Sequence, residues 1–274
     1  MSAAAPVVTR PAAALGGGGR PYDYRDLAGA GAETNVLGYG AVGGVRAVEQ
    51  WRLIMANISQ TVVRAAVDLS IFTDFADGAV IDSDPKVTAL NGVLDEVIAA
   101  LGDKRPRLLL HSCCGPCSSY VIEYLSKHFD ITVYYYNPNI HPESEYARRL
   151  ETQKQLIAAL GGAVLTESEY DPERFFAAVK GLESEPEGGA RCTECFRLRL
   201  EATAKRAKEG SFDYFCTTLS VSPHKNSAAI NALGGELGEK YGVNWLPGDF
   251  KKREGYKRSI ELSKQFDLYR QDYC

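Results

Sequence analysis

The sequence predicts an α/β fold: a mainly parallel sheet with flanking helices, preceded by an N-terminal extension. Two observations carry that expectation. From Pro85 onward, short runs of β-branched, aliphatic and aromatic residues alternate with longer segments whose apolar positions recur every three or four residues. Strands separated by helices pair in parallel, because each helix carries the chain back to the same end of the sheet. A third observation says where a site belongs. The first strand runs straight into His111-Ser112-Cys113-Cys114-Gly115-Pro116-Cys117, and open parallel sheets bind ligands beyond the carboxyl ends of their strands.

Taken in order, residues 1–20 are rich in Ala, Gly and Pro, carry a four-glycine tract and read as disordered. Tyr22, Tyr24, Leu37 and Tyr39 then lie among glycines. A helix is expected over Val45–Val67, where Trp51, Ile54, Ile58 and Val62 recur at helical spacing. Residues 1–85 hold no interpretable motif and read as an extension packing on the main domain, residues 86–274. In that domain Val87–Leu101 reads as a helix, with Val87, Leu90, Leu94, Val97, Ile98 and Leu101 on one face. Arg107–His111 is a short apolar strand. The expected elements continue as helix Ser118–Lys127, strand Ile131–Tyr136, and helices Glu143–Leu160, Arg174–Lys180 and Cys192–Ala207. Strand Asp213–Thr218, helix Lys225–Tyr241, strand Val243–Leu246 and helix Gly255–Phe266 complete the order.

Composition sets outer limits. The chain has 274 residues, 45% of them hydrophobic and 24% charged, so a core can form without disulfides. A formal charge of −4 argues against a generally basic nucleic-acid binder and leaves room for a local basic patch. No apolar run reaches the roughly 18 residues of a membrane span. No charged segment followed by an apolar one opens the chain, so no signal peptide is expected. Seven cysteines cannot all pair within one chain. These features together predict a cytoplasmic protein in which cysteines serve metal or redox chemistry.

Five of the seven fall into two clusters: Cys113, Cys114 and Cys117, then Cys192 and Cys195. The terminal Cys274 is a further candidate ligand. A C-x-x-C spacing lets two thiolates converge on one metal, and two such pairs far apart in sequence predict one site closed by the fold. Gly115 is read as permitting a tight turn, and the helix beyond offers free N–H groups and a positive dipole end that favour thiolates. Gly188 and Gly189, just before Cys192, are read as letting the backbone fold closely over a metal or ligand. Cys216, inside an apolar strand, reads as a small packed hydrophobe.

Other strand ends carry polar groups. Asn137 and Asn139, in N-P-N-I-H-P after the second strand, can read a ligand through amide hydrogen bonds or serve as turn residues. Ser220, Ser222, Lys225 and Asn226 lie where the T-L-S-V-S-P-H-K-N run is expected to open a helix at Pro223, and suit phosphate or sugar contacts. Lys251, Lys252, Arg253, Lys257 and Arg258, interleaved with Phe250 and Tyr256, form the densest basic patch. That pattern suits an RNA backbone and stacked bases, or a solvated helix face.

Six motifs in this order resemble the cobalamin-independent, iron–sulfur epoxyqueuosine reductase family: H-S-C-C-G-P-C-S, Y-Y-N-P-N-I-x-P-x-x-E-Y, E-P-E-G-G-x-R-C-x-x-C-F-x-L-R-L, T-L-S-V-S-P-x-K-N, D-F-K-K-R-E-G-Y-K-R-S and Y-R-Q-D-Y-C. The resemblance runs from about Arg107 to Cys274. It implies a fold similar to nucleotide-binding (HUP/Rossmann-like) domains. It implies reduction of the epoxide of epoxyqueuosine at the tRNA anticodon wobble position, with an electron donor that the sequence does not identify. The cofactors it implies are a 4Fe-4S cluster and a second iron, with Asp171 or Asp272 as the carboxylate completing the second site. Two features depart from the family pattern. The family continues past the position of Cys274 with Gly and another Cys, and the N-terminal extension lies outside the pattern.

Two other readings stand beside this one. An adenylating tRNA thiolase also joins a strand-end loop to C-x-x-C pairs, but its Ser-Gly-Gly-x-Asp-Ser phosphate loop is replaced here by C-C-G-P-C-S-S. A zinc-stabilised RNA-binding module would use the same cysteines as scaffold.

Overall fold

A computed structural model describes residues 84–271 and Tyr273, together with four two-residue strands nearer the N-terminus. Of these, β1 (Val7–Val8) pairs antiparallel with β2 (Val36–Leu37), and β3 (Phe75–Ala76) with β4 (Ala79–Val80). The helix expected over 45–67 lies outside the described residues, as do Asp272 and Cys274.

The main domain runs α1 (Asp84–Leu101), β5 (Arg107–His111), α2 (Gly115–Leu125), β6 (Asp130–Tyr135), α3 (Glu143–Leu160) and β7 (Ala163–Glu167). It continues with α4 (Pro172–Ala178), α5 (Ala190–Glu209), β8 (Tyr214–Thr217), a 3-10 turn (Leu219–Val221), α6 (Ser227–Tyr241), β9 (Asn244–Trp245) and α7 (Gly255–Gln265). Five strands form one sheet in the order β7-β6-β5-β8-β9, and every pairing is parallel. The expected fold class is therefore the observed one. The chain builds outward from β5 through β6 to β7, then returns to β8 and β9 on the other side. This reversal makes the carboxyl end of β5 the topological switch point, where neighbouring loops diverge and leave a crevice.

The sheet is covered on both faces, as a parallel sheet must be. Leu108 and Leu110 of β5 pack with Val121, Ile122 and Leu125 of α2 and Leu156 of α3. Leu109, pointing the other way, packs with Leu200 and Ala204 of α5 and Ile230 and Leu233 of α6. The period-two reversal along three consecutive leucines, all fully buried, ties both layers to one strand.

Three elements differ from the sequence expectation. β7, Ala163-Val164-Leu165-Thr166-Glu167, is a strand that no expected element covered. It forms the sheet edge, Val164 remains 63% exposed, and such half-covered runs lack a strong apolar signature. Helix α2 starts at Gly115, not Ser118, with Pro116 in its first turn, where a missing N–H costs nothing. Helix α6 opens at Ser227, not Pro223. Asn226 caps it by accepting a hydrogen bond from Ala229 N–H at 2.9 Å.

Candidate metal centre

Cys113 and Cys114 lie in the link from β5 to α2, and Cys117 lies in the first turn of α2. Their three Sγ atoms all lie within 4.8 Å of one another, and Cys113 and Cys114 Sγ are 3.9 Å apart. Two thiolates sharing one tetrahedral ion at 2.3 Å each would be about 3.8 Å apart. Hydrogen bonding to Cys114 and Cys117 holds the Cys113 thiol well below its usual range, against the cost of burial. The Cys113 sulfur, with burial, pushes Cys114 up to about 12, and both neighbouring sulfurs, with burial, push Cys117 well above its ordinary value. Buried sulfurs this close can carry one negative charge among themselves, and a bound cation allows more.

The surrounding residues fix this geometry. A Cβ on Gly115 would meet Thr152 Cγ2 of α3 at 2.9 Å and its carbonyl oxygen at 3.1 Å. Gly115 is therefore needed for close helix packing, and its φ is not in the left-handed region. Ser112 and Ser118 hydroxyls both donate to buried Gln153 Oε1, at 2.7 and 2.9 Å. Asn137 Nδ2 donates to Ser112 O at 2.8 Å. His111 lies fully buried beneath the cysteines. Its Nδ1 is 2.8 Å from Thr217 Oγ1 and its Nε2 is 3.1 Å from Tyr136 O. A carbonyl only accepts, so Nε2 carries the hydrogen and Nδ1 accepts from the threonine. Burial, reinforced by the nearby Arg199 charge, depresses the imidazole to about 3, so it is neutral.

The second cysteine pair approaches from α5. Cys195 is buried and Cys192 partly buried. Cys192 and Cys117 pack against the same cluster of buried residues, which contains Cys113, Cys114 and Phe196. Gly188, with φ of 85°, folds the loop back so that its N–H donates to Cys192 Sγ at 3.3 Å. The fold brings both cysteine clusters to one region, but among the described residues only Cys113, Cys114 and Cys117 draw their sulfurs together within 4.8 Å. Cys216 is buried, and its thiol is pushed up to about 12 by burial, as expected of a packed hydrophobe.

A small pocket opens beside Cys113. It is lined also by Asn137, Asn139 and Ile140 after β6, Arg149 of α3, Arg199 of α5, Lys225 after β8 and Gln271 near the C-terminus. Gln271 Nε2 donates to Cys114 Sγ at 3.0 Å, and its buried Oε1 has no partner. Arg149 and Arg199 are each only 2% exposed. One thiol-bearing centre therefore shares its pocket with three cations and three side-chain amides.

A family model described as epoxyqueuosine reductase QueH matches residues 108–274, which is more than half of the chain. The chain belongs to this family. Three relatives carry the same description. The protein from Staphylococcus epidermidis is 49% identical over 62% of this chain and 75% of its own. That from Streptococcus pyogenes is 49% identical over 62% and 69%, and that from Thermotoga maritima 36% identical over 61% and 86%.

The remaining expected residues of this QueH family member fall into distinct environments. Asp171 caps α4, accepting from Arg174 N–H at 3.3 Å. Ser220 is buried and fixes the loop after β9: its hydroxyl accepts from Phe250 N–H at 3.4 Å and its carbonyl from Lys251 N–H at 3.1 Å. Ser222 Oγ accepts from His224 N–H at 3.4 Å. Of the basic patch, Lys251 is largely buried. It pairs with buried Asp249 at 3.2 Å and donates to Ser227 Oγ at 3.0 Å. Arg253 grips Asp95 of α1 through two bonds of 2.7 and 2.6 Å. Arg258 grips Glu123 of α2 and reaches Glu261. Lys257 pairs with Glu254 at 3.0 Å in full solvent. Most of this charge is thus matched by carboxylates and ties α7 and its preceding loop to α1 and α2. Arg149, Arg199, Gln153 and Gln271 were not singled out from the sequence. Arg199 and Gln271 do stand in two of the recurring motifs, R-C-x-x-C-F-x-L-R-L and Y-R-Q-D-Y-C, and that is the signal they carried.

Proposed function

We propose that this chain reduces the epoxide of epoxyqueuosine at the wobble position of a tRNA anticodon, giving queuosine. The observation that carries the reading is the converging thiol trio, two of its cysteines buried, at the switch point of a QueH-family chain beside a polar pocket. Reduction breaks both C–O bonds of the epoxide, forms a C=C bond, and releases the oxygen as water after uptake of two electrons and two protons.

The chain's own residues divide this work. Cys113, Cys114, Cys117, Cys192, Cys195 and Cys274 exceed the four thiolates that a 4Fe-4S cluster needs. The surplus, with Asp171 or Asp272, would hold a further iron. The donor set fits such soft, thiolate-bound metals, since these three sulfurs already converge. When bound, these centres supply electrons one at a time and Lewis acidity at the epoxide oxygen. Asn137 and Asn139 offer amides to polar substrate edges. Arg149 and Arg199, held in the pocket wall, keep it polar and positively charged. Lys225, whose charge acts on Cys113, brings protons to the side where the oxygen departs. For the tRNA, Ser222, Asn226 and the exposed Lys257 offer a hydroxyl, an amide and a charge, whereas Ser220, Lys251, Arg253 and Arg258 are already held by protein partners. An external donor supplies the electrons, and the cytoplasm is the compartment that keeps these thiols reduced. Among the described residues no helix is long and apolar enough to cross a membrane.

Anaerobic metal and sulfide analysis with a visible spectrum tests the centre. About four or more irons per chain with matching sulfide is the expected result. Cys192→Ala is expected to lower both iron content and turnover of epoxyqueuosine-tRNA, and full retention of both would remove Cys192 from the site. Zinc alone in anaerobic protein would instead support a scaffolding role. ATP-dependent pyrophosphate release would support an adenylating enzyme.

A further inference from the structure

Four large hydrophobic side chains are prominently exposed among the described residues: Val164, Phe176, Tyr256 and Tyr273. Two of them meet at one place. The Phe176 ring lies edge-on to His141 with centroids 6.0 Å apart, and the Tyr273 hydroxyl donates to His141 O at 3.2 Å. Phe176 is 47% exposed and Tyr273 51%. Neither ring is serving the core. Helix α4, which carries Phe176, buries none of its residues, so its phenyl exposure is not offset by packing elsewhere on that helix.

The position of these rings says what they meet. His141 follows Asn139 and Ile140 directly, and both line the pocket beside Cys113. Arg149 lines the same pocket, and its guanidinium backs the Tyr273 ring at 4.6 Å. The aromatic group is thus one side chain away from the pocket mouth and continuous with its wall. Flat half-exposed rings beside a buried arginine, at the rim of a polar pocket, suit stacking of unpaired bases. Two exposed rings are too few for an apolar protein interface.

We propose that His141, Phe176 and Tyr273 form a stacking ledge for the unpaired RNA bases flanking the nucleotide whose base enters the pocket. The inference rests on the tRNA reading above and adds the surface that holds the strand. Stacking accepts any base, so the ledge positions the strand without selecting its sequence.

The test uses the full chain, loaded with metal anaerobically, and an anticodon stem-loop RNA carrying 2-aminopurine beside the wobble nucleotide. Binding to the unaltered protein is expected to quench the probe. Phe176→Ala and Tyr273→Ala are each expected to weaken binding about five- to 150-fold, the value of one lost stack, and to leave the bound probe brighter. Their salt dependence should stay unchanged, since no phosphate contact is lost. Phe176→Tyr and Tyr273→Phe keep the rings and should restore both affinity and quenching. Unchanged affinity and quenching in the alanine variants, with the RNA still bound, would overturn the ledge and leave the tRNA reading intact. An unaltered, loaded protein that does not bind the stem-loop would overturn both.

Discussion

Cys113, Cys114 and Cys117 place three sulfurs in a volume where only one is stabilised as a thiolate by its neighbours. Removing further protons without a cation would set like charges a few ångströms apart in a buried site. The trio is thus arranged to take up metal and release protons as it does so. Gln271 adds a finer adjustment. Its N–H reaches Cys114 Sγ at 3.0 Å, and a hydrogen bond to a ligating sulfur favours the more negative, reduced form of a metal centre. Gln271→Leu keeps the volume and removes the donor. The midpoint potential of the loaded protein is expected to fall by tens of millivolts in potentiometric titration, and an unmoved potential would leave Gln271 a packing residue only.

Two elements owe their placement to single side chains. Helix α2 can present its first turn to the cysteines because α3 crosses it at Gly115. Gly115→Ala would press a methyl against Thr152 Cγ2 and the adjacent carbonyl, destabilising the fold by about 1–3 kcal/mol as overpacking does. Thr152→Ser removes the methyl and should recover part of that loss, leaving the share due to the carbonyl. Denaturant melts of the two single variants and the double variant would show this coupling. The loop before α7 is anchored differently, by buried Asp249, which accepts from Ser227 Oγ at 2.7 Å as well as pairing with Lys251. Lys251→Ala leaves that carboxylate without its cation and should cost about 3–5 kcal/mol. Lys257→Ala, at an exposed pair screened by solvent, should leave the unfolding temperature nearly unchanged. Thermal unfolding of the two variants distinguishes them. A weaker tRNA affinity in Lys251→Ala therefore reports on the fold before it reports on a phosphate contact.

At the scale of the whole molecule, the site is assembled from loops and helices on both sides of β5, so a metal held there would link its binding to folding of the carboxyl edge. Loading with iron and sulfide is expected to raise the unfolding temperature. It should also slow alkylation of the partly buried Cys192, while Cys216 stays unreactive in both states because burial keeps its thiol protonated. Mass-spectrometric mapping of labelled cysteines before and after loading reads this directly. Equal labelling of Cys192 in both states would separate it from the metal.

The sequence by itself determined the α/β class, most element positions, the two cysteine clusters and, through six ordered motifs, the family. These are local signals: apolar periodicity reports which face is buried, and metal-ligand spacing reports chemistry within a few residues. Tertiary structure alone decided three things. It set the strand order that puts the β5 end at a switch point. It converted much of the basic run from a free patch into carboxylate-paired struts, because Asp95, Glu123 and Asp249 approach from distant segments. It also gathered Arg149, Arg199, Lys225 and Gln271 around Cys113, and Phe176 with Tyr273 at its rim. None of these groupings has a period or a spacing along the chain. They exist because parallel strands deliver all their carboxyl ends to one edge, and residues far apart in sequence meet there.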